Sequence, residues 1–415
     1  MTIGRTVLDS GVTVVTEQVP YLRSATIGVW SEAGSRVEMP RDNGIAHFIE
    51  HMLFKGTARR RALDISREIE SVGGTMNACT EREYVFFFAK VLAGDFPLAV
   101  DILCDIYLNS VFDRDELERE RDVVLQEILM VEDNPEEVVD DLFHASYWGG
   151  HPLGLPVQGT SGSVAAFTRD RVTSWFGDRF RRRGLVVSVV GNLEHARVAD
   201  AFDRQLAPLR LGERRAPEAP PAPARGTFLK GRPTGQVHLC LGAPAVPRTS
   251  DRRYAARVLN TILGGSMCSR LFQEVREKRG LAYSIGSSMS LYSDSGIVKI
   301  SAGTSRDKLG ELLSVVADVV ERMGSGDIGD DEVAMGRELV KGSMILALES
   351  AEYRMSRLAM NELLFGRIEE HEDAVRRVEA LTTGEVREFA GALLRRDAFS
   401  LAAVGDLPAG EVPAF

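Results

Sequence analysis

Strand-like and helix-like apolar patterns alternate along this chain, and the alternation occurs twice. In the first half an apolar strand, "ATIGVWSEAGS" (25–35), passes through a polar loop into an amphipathic helix, "NGIAHFIEHMLFKG". In the second half "QVHLCLGAPAV" (236–246) leads through a polar loop to "RRYAARVLNTILGG". "REIESVGGTMNA" then corresponds to "QEVREKRGLAYS", the strand "EYVFFFAKVL" to "SGIVKISAGT", and the long helix "GDFPLAVDILCDIYLN" to "RDKLGELLSVVADVVERM". A repeat of this period implies duplicated domains.

Between the halves lies "LRLGERRAPEAPPAPARGT" (209–227), where Pro217, Pro220, Pro221 and Pro223 favour an extended spacer. The expected organisation is therefore a domain over 1–208, a Pro-rich linker over 209–227, and a homologous domain over 228–415. "TMNACTEREYVFFFAKVL" reads as strand, turn, strand, and "RGLVVSVVGN" (183–192) as a buried strand. The fold class follows as α+β: two duplicated domains, each a mostly antiparallel sheet with helices packed on one side.

Composition changes this picture little. A net charge of −10 argues against nucleic acid and anionic membrane as partners. No apolar run reaches the length of a membrane span, and "MTIGRTVLDSGVTVV" reads as a strand pair rather than a signal segment, so a cytoplasmic location is expected. Cys79, Cys104, Cys240 and Cys268 show no C-x-x-C spacing and read as reduced, packed thiols.

The chemistry concentrates in "GIAHFIEHMLFKGT" (44–57). The chain has 7 histidines, and two of them, His47 and His51, stand four apart with Glu50 between. On a helix that spacing puts both imidazoles on one face, where they can occupy two corners of a zinc site. A glutamate beside such a site, not bound to it, can serve as proton acceptor, and H-x-x-E-H inverts the familiar zinc-protease order. The plainer alternative is a structural histidine pair. Sliding the halves by 258 − 47 = 211 residues sets Val258, Thr261 and Ile262 opposite His47, Glu50 and His51, so the repeated fold does not require the polar trio.

A catalytic zinc takes a third protein ligand from another element. "DRDELERERDVVLQEILMVEDNP" (113–135) reads as a helix capped by Asp113, with Pro135 beyond its end. Glu127 falls within an apolar stripe of Val124, Leu125, Ile128 and Leu129, and Glu120 lies two turns back. A ligand role would relieve the cost of a buried carboxylate; pairing with an arginine, or a place at the stripe's edge, would do so too. Glu116, Glu118 and Glu120 read first as a solvated charged turn.

With these residues in view, the chain resembles the pitrilysin/insulinase-type (M16) zinc peptidases, and most closely the branch of mitochondrial processing peptidase and its bacterial relatives. The likeness covers nearly the whole chain, through "GIAHFIEHMLFKGT", "GGTMNACTEREYVFF", "ERERDVVLQEI", "HPLGLPVQGT", "VVGNL" and "LGGSMCSRLFQEVREKRGLAYSI". It implies a third ligand 127 − 51 = 76 residues after the second histidine, at Glu127, and an assisting catalytic glutamate at Glu120. The cofactor implied is Zn2+, held by His47, His51 and Glu127, with Glu50 as the base; Mn or Co also suits such donors.

The resemblance also implies that extended peptide adds to the edge strand "GGTMNACT", with Asn77 and Ala78 nearest the scissile bond. Arg276 and Tyr283 match a substrate-contacting pair; Arg279 is a nearby substitute for the former. No function is transferred to "LGGSMCSRL". Longer family members enclose a chamber with four such domains, so this two-domain chain is expected to act as a homodimer, or as a heterodimer with a related subunit, with Arg276 and Tyr283 supplied in trans. The function expected is a zinc metalloendopeptidase for extended or presequence-like peptides. The alternative is a peptide-binding or structural subunit of a heterodimeric peptidase.

Overall fold

The computed structural model describes residues 2–182, 184–213, 221–407 and 415. It contains two sheets of the same design. The first runs in the order β1-β2-β6-β3-β5-β4, with β1 Thr2–Val7, β2 Thr13–Gln18, β3 Ser24–Ser31, β4 Thr75–Thr80, β5 Val85–Leu92 and β6 Val186–Gly191. Its neighbours are antiparallel except β2 and β6. The second runs β7-β11-β8-β10-β9, with β7 Thr227–Gly231, β8 Val237–Pro244, β9 Ala282–Leu291, β10 Gly296–Thr304 and β11 Ser400–Gly405. Here β7 and β11 are the parallel pair. The α+β duplication expected from the repeat is therefore present strand for strand, with β1 as the addition.

The helices of the first half are α1 Ile45–Leu53, α2 Ala62–Ser71, α3 Phe96–Asn109, α4 Arg114–Asp133, α5 Pro135–Tyr147, α6 Ser161–Ala165, α7 Arg169–Arg179 and α8 His195–Leu206. The second half adds α9 Arg253–Leu263, α10 Leu309–Gly324, α11 Asp330–Ala347, α12 Ala351–Phe365, α13 His371–Glu379 and α14 Thr383–Leu393. On one face of the first sheet α1, α3, α7 and α8 bury Phe48, Ile49, Leu103, Phe176 and Phe202 against Val14, Ile27 and Phe87. Period-two strands bury alternate residues, as β5 does.

The compact units depart from the expected contiguous halves. One comprises Met1–Leu129, Leu155–Glu218 and Ala347–Ile368; the other comprises Met130–Gly154, Ala219–Leu346 and Glu369–Phe415. The halves exchange a helix. In the first unit α12 lays Met355, Leu358 and Ala359 on the sheet's second face, against Val15, Trp30 and Val190. In the second unit α5 packs Val139 and Phe143 against Cys240 and Ala402. The physical reason is that a sheet with apolar side chains on both faces needs cover on both. To the helices expected on one side, the structure thus adds a single helix on the other.

The exchanged helix α12 is also pinned by charge. Arg354 donates to the buried Glu17 of β2, and Arg5 meets Glu362 at 2.8 Å. The expected linker overlaps the division between units, but its residues 214–220, with Pro217 and Pro220, lie outside the described residues. No helix among the described residues is long and apolar enough to cross a membrane. Of the four thiols Cys104 and Cys240 are buried and Cys79 partly so, whereas Cys268 is exposed, contrary to the packed context expected of it.

Candidate metal centre

Helix α1 starts at Gly44, which adopts φ 88°, and a Cβ there would sit 2.6 Å from the Gln158 carbonyl oxygen. Only glycine accepts both conditions at low cost. From that start the helix buries Ile45, Phe48, Ile49 and Met52, which turns His47, Glu50 and His51 to the opposite face. The two imidazole centroids lie 4.6 Å apart. Helix α4, capped by Asp113 accepting from the Asp115 and Glu116 amides, buries Leu117, Glu120, Val124 and Ile128.

Glu127 faces the histidine pair from α4. Its Oε2 is 3.8 Å from His47 Nε2 and 3.6 Å from His51 Nε2. These separations are too long for hydrogen bonds. They suit donors that share an ion, because bonds of about 2.0–2.1 Å to a tetrahedral centre set donor atoms about 3.3 Å apart. One donor atom from each of the three residues lies within 4.8 Å of the others, the only such triad of His, Cys, Asp and Glu among the described residues. Two imidazoles and one carboxylate form the donor set of a catalytic zinc, with a fourth position open. The residues present therefore fit the metal.

The surroundings of the triad differ from the sequence expectation in two respects. Glu127 is not on the buried stripe: its side chain is 40% exposed, at the edge of the helix contact. Glu120, read as part of a solvated turn, is buried and stands behind His51, accepting from Nδ1 at 3.0 Å. Its other oxygen takes the Lys55 ammonium at 2.6 Å. A proton on Nδ1 leaves the Nε2 lone pair for the metal side.

Charge follows from this packing. Burial drives His47 down to about 4, and His51 adds to the effect. For His51 burial works against protonation, but the bond to Glu120 and the charges of Glu127, Glu120 and Glu50 carry it above the ordinary histidine value. Glu120 is opposed by burial yet held below the carboxylate range by its bonds from His51 and Lys55. Burial lifts Glu50 above that range, and the Thr80 hydroxyl, donating to Oε2 at 2.5 Å, holds it back. Glu50 is thus a carboxyl group beside three donors, raised by burial and with one oxygen already engaged by Thr80.

Thr80 ends β4, which is the terminal strand of its sheet and pairs only with β5. Asn77 and Ala78 lie on this edge strand, and the Ala78 amide donates to Asn77 Oδ1 at 2.8 Å. Arg276 and Tyr283 belong to the second unit. There a π-helical segment, Phe272–Glu277, turns the Arg276 guanidinium over Phe272 at 4.7 Å and over Tyr283 at 4.8 Å. Tyr283, on β9, is 80% exposed. The positions opposite His47 and His51, Val258 and Ile262, are buried apolar residues of α9. Sequence reasoning missed Lys55 and Thr80. The first stands just beyond the end of α1 and the second ends β4, so neither is announced by a helical period.

Comparison with known proteins shows what the chain is similar to. The family description "Insulinase (Peptidase family M16)" matches residues 13–161, and "Peptidase M16 inactive domain" matches residues 166–340. A Streptomyces coelicolor protein named an uncharacterized zinc protease is 40% identical, over 98% of this chain and 90% of its own length. A Bacillus subtilis protein of the same description is 38% identical, over 99% and 100%. Among solved structures, a peptidase M16 inactive domain from Pseudomonas fluorescens superposes with a TM-score of 0.92 at 21% identity, covering 99% of both chains.

Proposed function

The chain belongs to the insulinase-type M16 peptidase family, two of whose relatives above carry the name zinc protease, and from that premise we propose that it is a zinc-dependent endopeptidase for extended peptides. The observation that carries this reading is the convergence of His47, His51 and Glu127 beside Glu50, whose carboxylate is held by Thr80. Zinc bound there supplies Lewis acidity to a water and to the substrate carbonyl. Glu50 accepts the proton of the attacking water and passes it to the leaving amine. The Thr80 hydroxyl on Oε2 fixes the orientation of the carboxylate. Glu120 holds the His51 ring and its tautomer. The substrate lies along the outer edge of β4 as an added strand, past Asn77 and Ala78, its amides satisfied by backbone pairing.

The active species in this proposal is a dimer that encloses the peptide, either of this chain with itself or with a related subunit. Arg276 and Tyr283 of the second chain contact the substrate. Their support is the stacked pair itself, which sets the half-buried Arg276 cation against the exposed Tyr283 phenol. The test is cleavage of an unstructured peptide library by the purified chain at matched zinc, with Glu50→Gln as control and mass-spectrometric readout. Zinc-dependent cleavage lost in the variant supports the reading. A zinc-loaded wild type that cuts nothing alone, nor with a related subunit, overturns it in favour of a peptide-binding role.

A further inference from the structure

One buried carboxylate near the centre has no part in the mechanism above. Glu38 lies on the segment that joins β3 to α1 and is 2% exposed. Its Oε2 accepts from the Gly44 amide at 2.8 Å and from Asn43 Nδ2 at 3.1 Å, and its Oε1 accepts from the Ala46 amide at 2.9 Å. Gly44 and Ala46 are the first positions of α1, whose amides have no partner within the helix. Burial pushes the Glu38 carboxyl up to about 8, and the bonds from the Ala46 and Gly44 amides and from Asn43 oppose that rise. Ala46 immediately precedes His47.

The same segment grips the turn that directly follows Thr80. The Ser35 amide donates to the Glu81 carbonyl at 3.2 Å and the Arg36 amide to the Arg82 carbonyl at 2.7 Å. The Arg36 guanidinium meets Glu83 at 2.8 Å. Gly34 sits so close to this turn that a Cβ would come within 2.4 Å of the Glu81 oxygen and the Tyr84 nitrogen. Residues 34–46 therefore form a strap, bonded at one end to the β4–β5 turn and, through Glu38, at the other end to the first turn of α1. Asn43 Nδ2 also donates to the Pro156 carbonyl at 2.8 Å, and Asp42 is paired with Arg171 of α7, which anchors the strap's middle.

We infer that Glu38 is a positioning residue for the hydrolytic reaction: by clamping the start of α1 it sets His47 and His51 against Glu127, and Glu50 against Thr80. This rests on the zinc-peptidase reading. A simple packing role would be met by an apolar side chain, which costs less to bury than a carboxylate. What the carboxylate adds is three directed bonds that fix the rotation and axial setting of a helix whose ligands must meet a partner on α4. Misplacement on the order of 1 Å at such a site costs about a hundredfold in rate.

The experiment compares wild type, Glu38→Gln, Asn43→Ala and Met355→Ala. Met355 packs on the other face of the same sheet and serves as a control for general destabilisation. Each is measured for thermal midpoint, for zinc affinity by chelator competition, and for kcat and KM on a peptide that wild type cuts. The glutamine keeps length but turns one acceptor into a donor facing an amide. The expected result is a fall of about tenfold or more in zinc affinity and in kcat, with KM little changed. Asn43→Ala, which removes one of the three bonds, is expected to show the same split in smaller degree, and it decides the matter if Glu38→Gln does not fold. Met355→Ala is expected to lose stability with kcat and zinc affinity retained. Folded variants at the strap with wild-type zinc affinity and kcat overturn the inference, as does a loss that Met355→Ala reproduces at equal destabilisation. A wild type that neither binds zinc nor cleaves overturns the peptidase reading itself, a distinct outcome.

Discussion

His51 is held from behind by Glu120: Nδ1 and the carboxylate are 3.0 Å apart, while His51 Nε2 faces Glu127. The pair sets the tautomer of the ring and raises its proton affinity at once. Protons therefore compete with metal at His51 above the usual histidine range. Removing the carboxylate's charge has two effects of opposite sign. Glu120→Gln is predicted to lower the zinc affinity at alkaline pH by about 10–100-fold, because the ring loses its orienting partner. It also lowers the His51 pKa, so the acid limb of zinc binding moves to lower pH. Chelator competition between pH 5 and 9 checks both; an unchanged limb would disprove the coupling.

Glu50 is held by Thr80, whose hydroxyl donates to its Oε2 and whose backbone also bonds it. Glu50→Gln should bind zinc as wild type does and lose about 10²–10⁴-fold in kcat, the span of a general base. Metal stoichiometry and single-turnover cleavage on the same preparation separate the two quantities.

Thr80→Val removes the hydroxyl and keeps the volume. The hydroxyl donates to the ionised form of Glu50, so its loss raises the Glu50 pKa further. The acid limb of kcat/KM then moves to higher pH, and kcat at its plateau falls by about five- to tenfold, the value of one hydrogen bond. A pH–rate profile that does not move would show that the bond is incidental.

Arg354 and Glu17 are both buried, and the helix that carries the arginine comes from the far half of the chain. Arg354→Met leaves Glu17 without this partner, and a loss of about 3–5 kcal/mol is expected. The double variant Glu17→Gln/Arg354→Met should recover much of it. Arg354 also donates from Nε to the Leu348 carbonyl; urea unfolding of the three proteins tests the prediction, and a double variant no better than the single would mean that Arg354 acts through that backbone bond instead.

The parts of the centre that share one helix were legible from spacing, because His47, Glu50 and His51 obey a local period. The duplicated sheets were legible for the same reason: strand and helix patterns recur in order, and α9 places Val258 and Ile262 where α1 has histidines. Glu127 was reached through family likeness more than pattern, since its apparent burial in a stripe gave way to an exposed edge. Pattern alone puts Glu120 in a solvated charged turn, because a charged run hides which of its members faces inward; the resemblance singles it out as an assisting glutamate, and it is buried against His51. Lys55, Thr80 and Glu38 act across loops and strand pairings, and no period in the sequence announces such contacts. The exchange of α5 and α12 was invisible too, for an amphipathic helix does not declare which of two similar apolar sheets it will cover.

That exchange has a consequence for how the protein is made. When residue 208 has been synthesised, the first sheet has all six of its strands, yet the face formed by Val15, Trp30 and Val190 still waits for Met355 and Leu358. The missing cover is complete only at residue 368, another 368 − 208 = 160 residues on. At ordinary rates of translation the nascent chain carries a bare apolar surface for roughly 10–30 s. A gene cut at the proline-rich stretch yields two halves that each keep a helix the other needs, and neither is a finished folding unit.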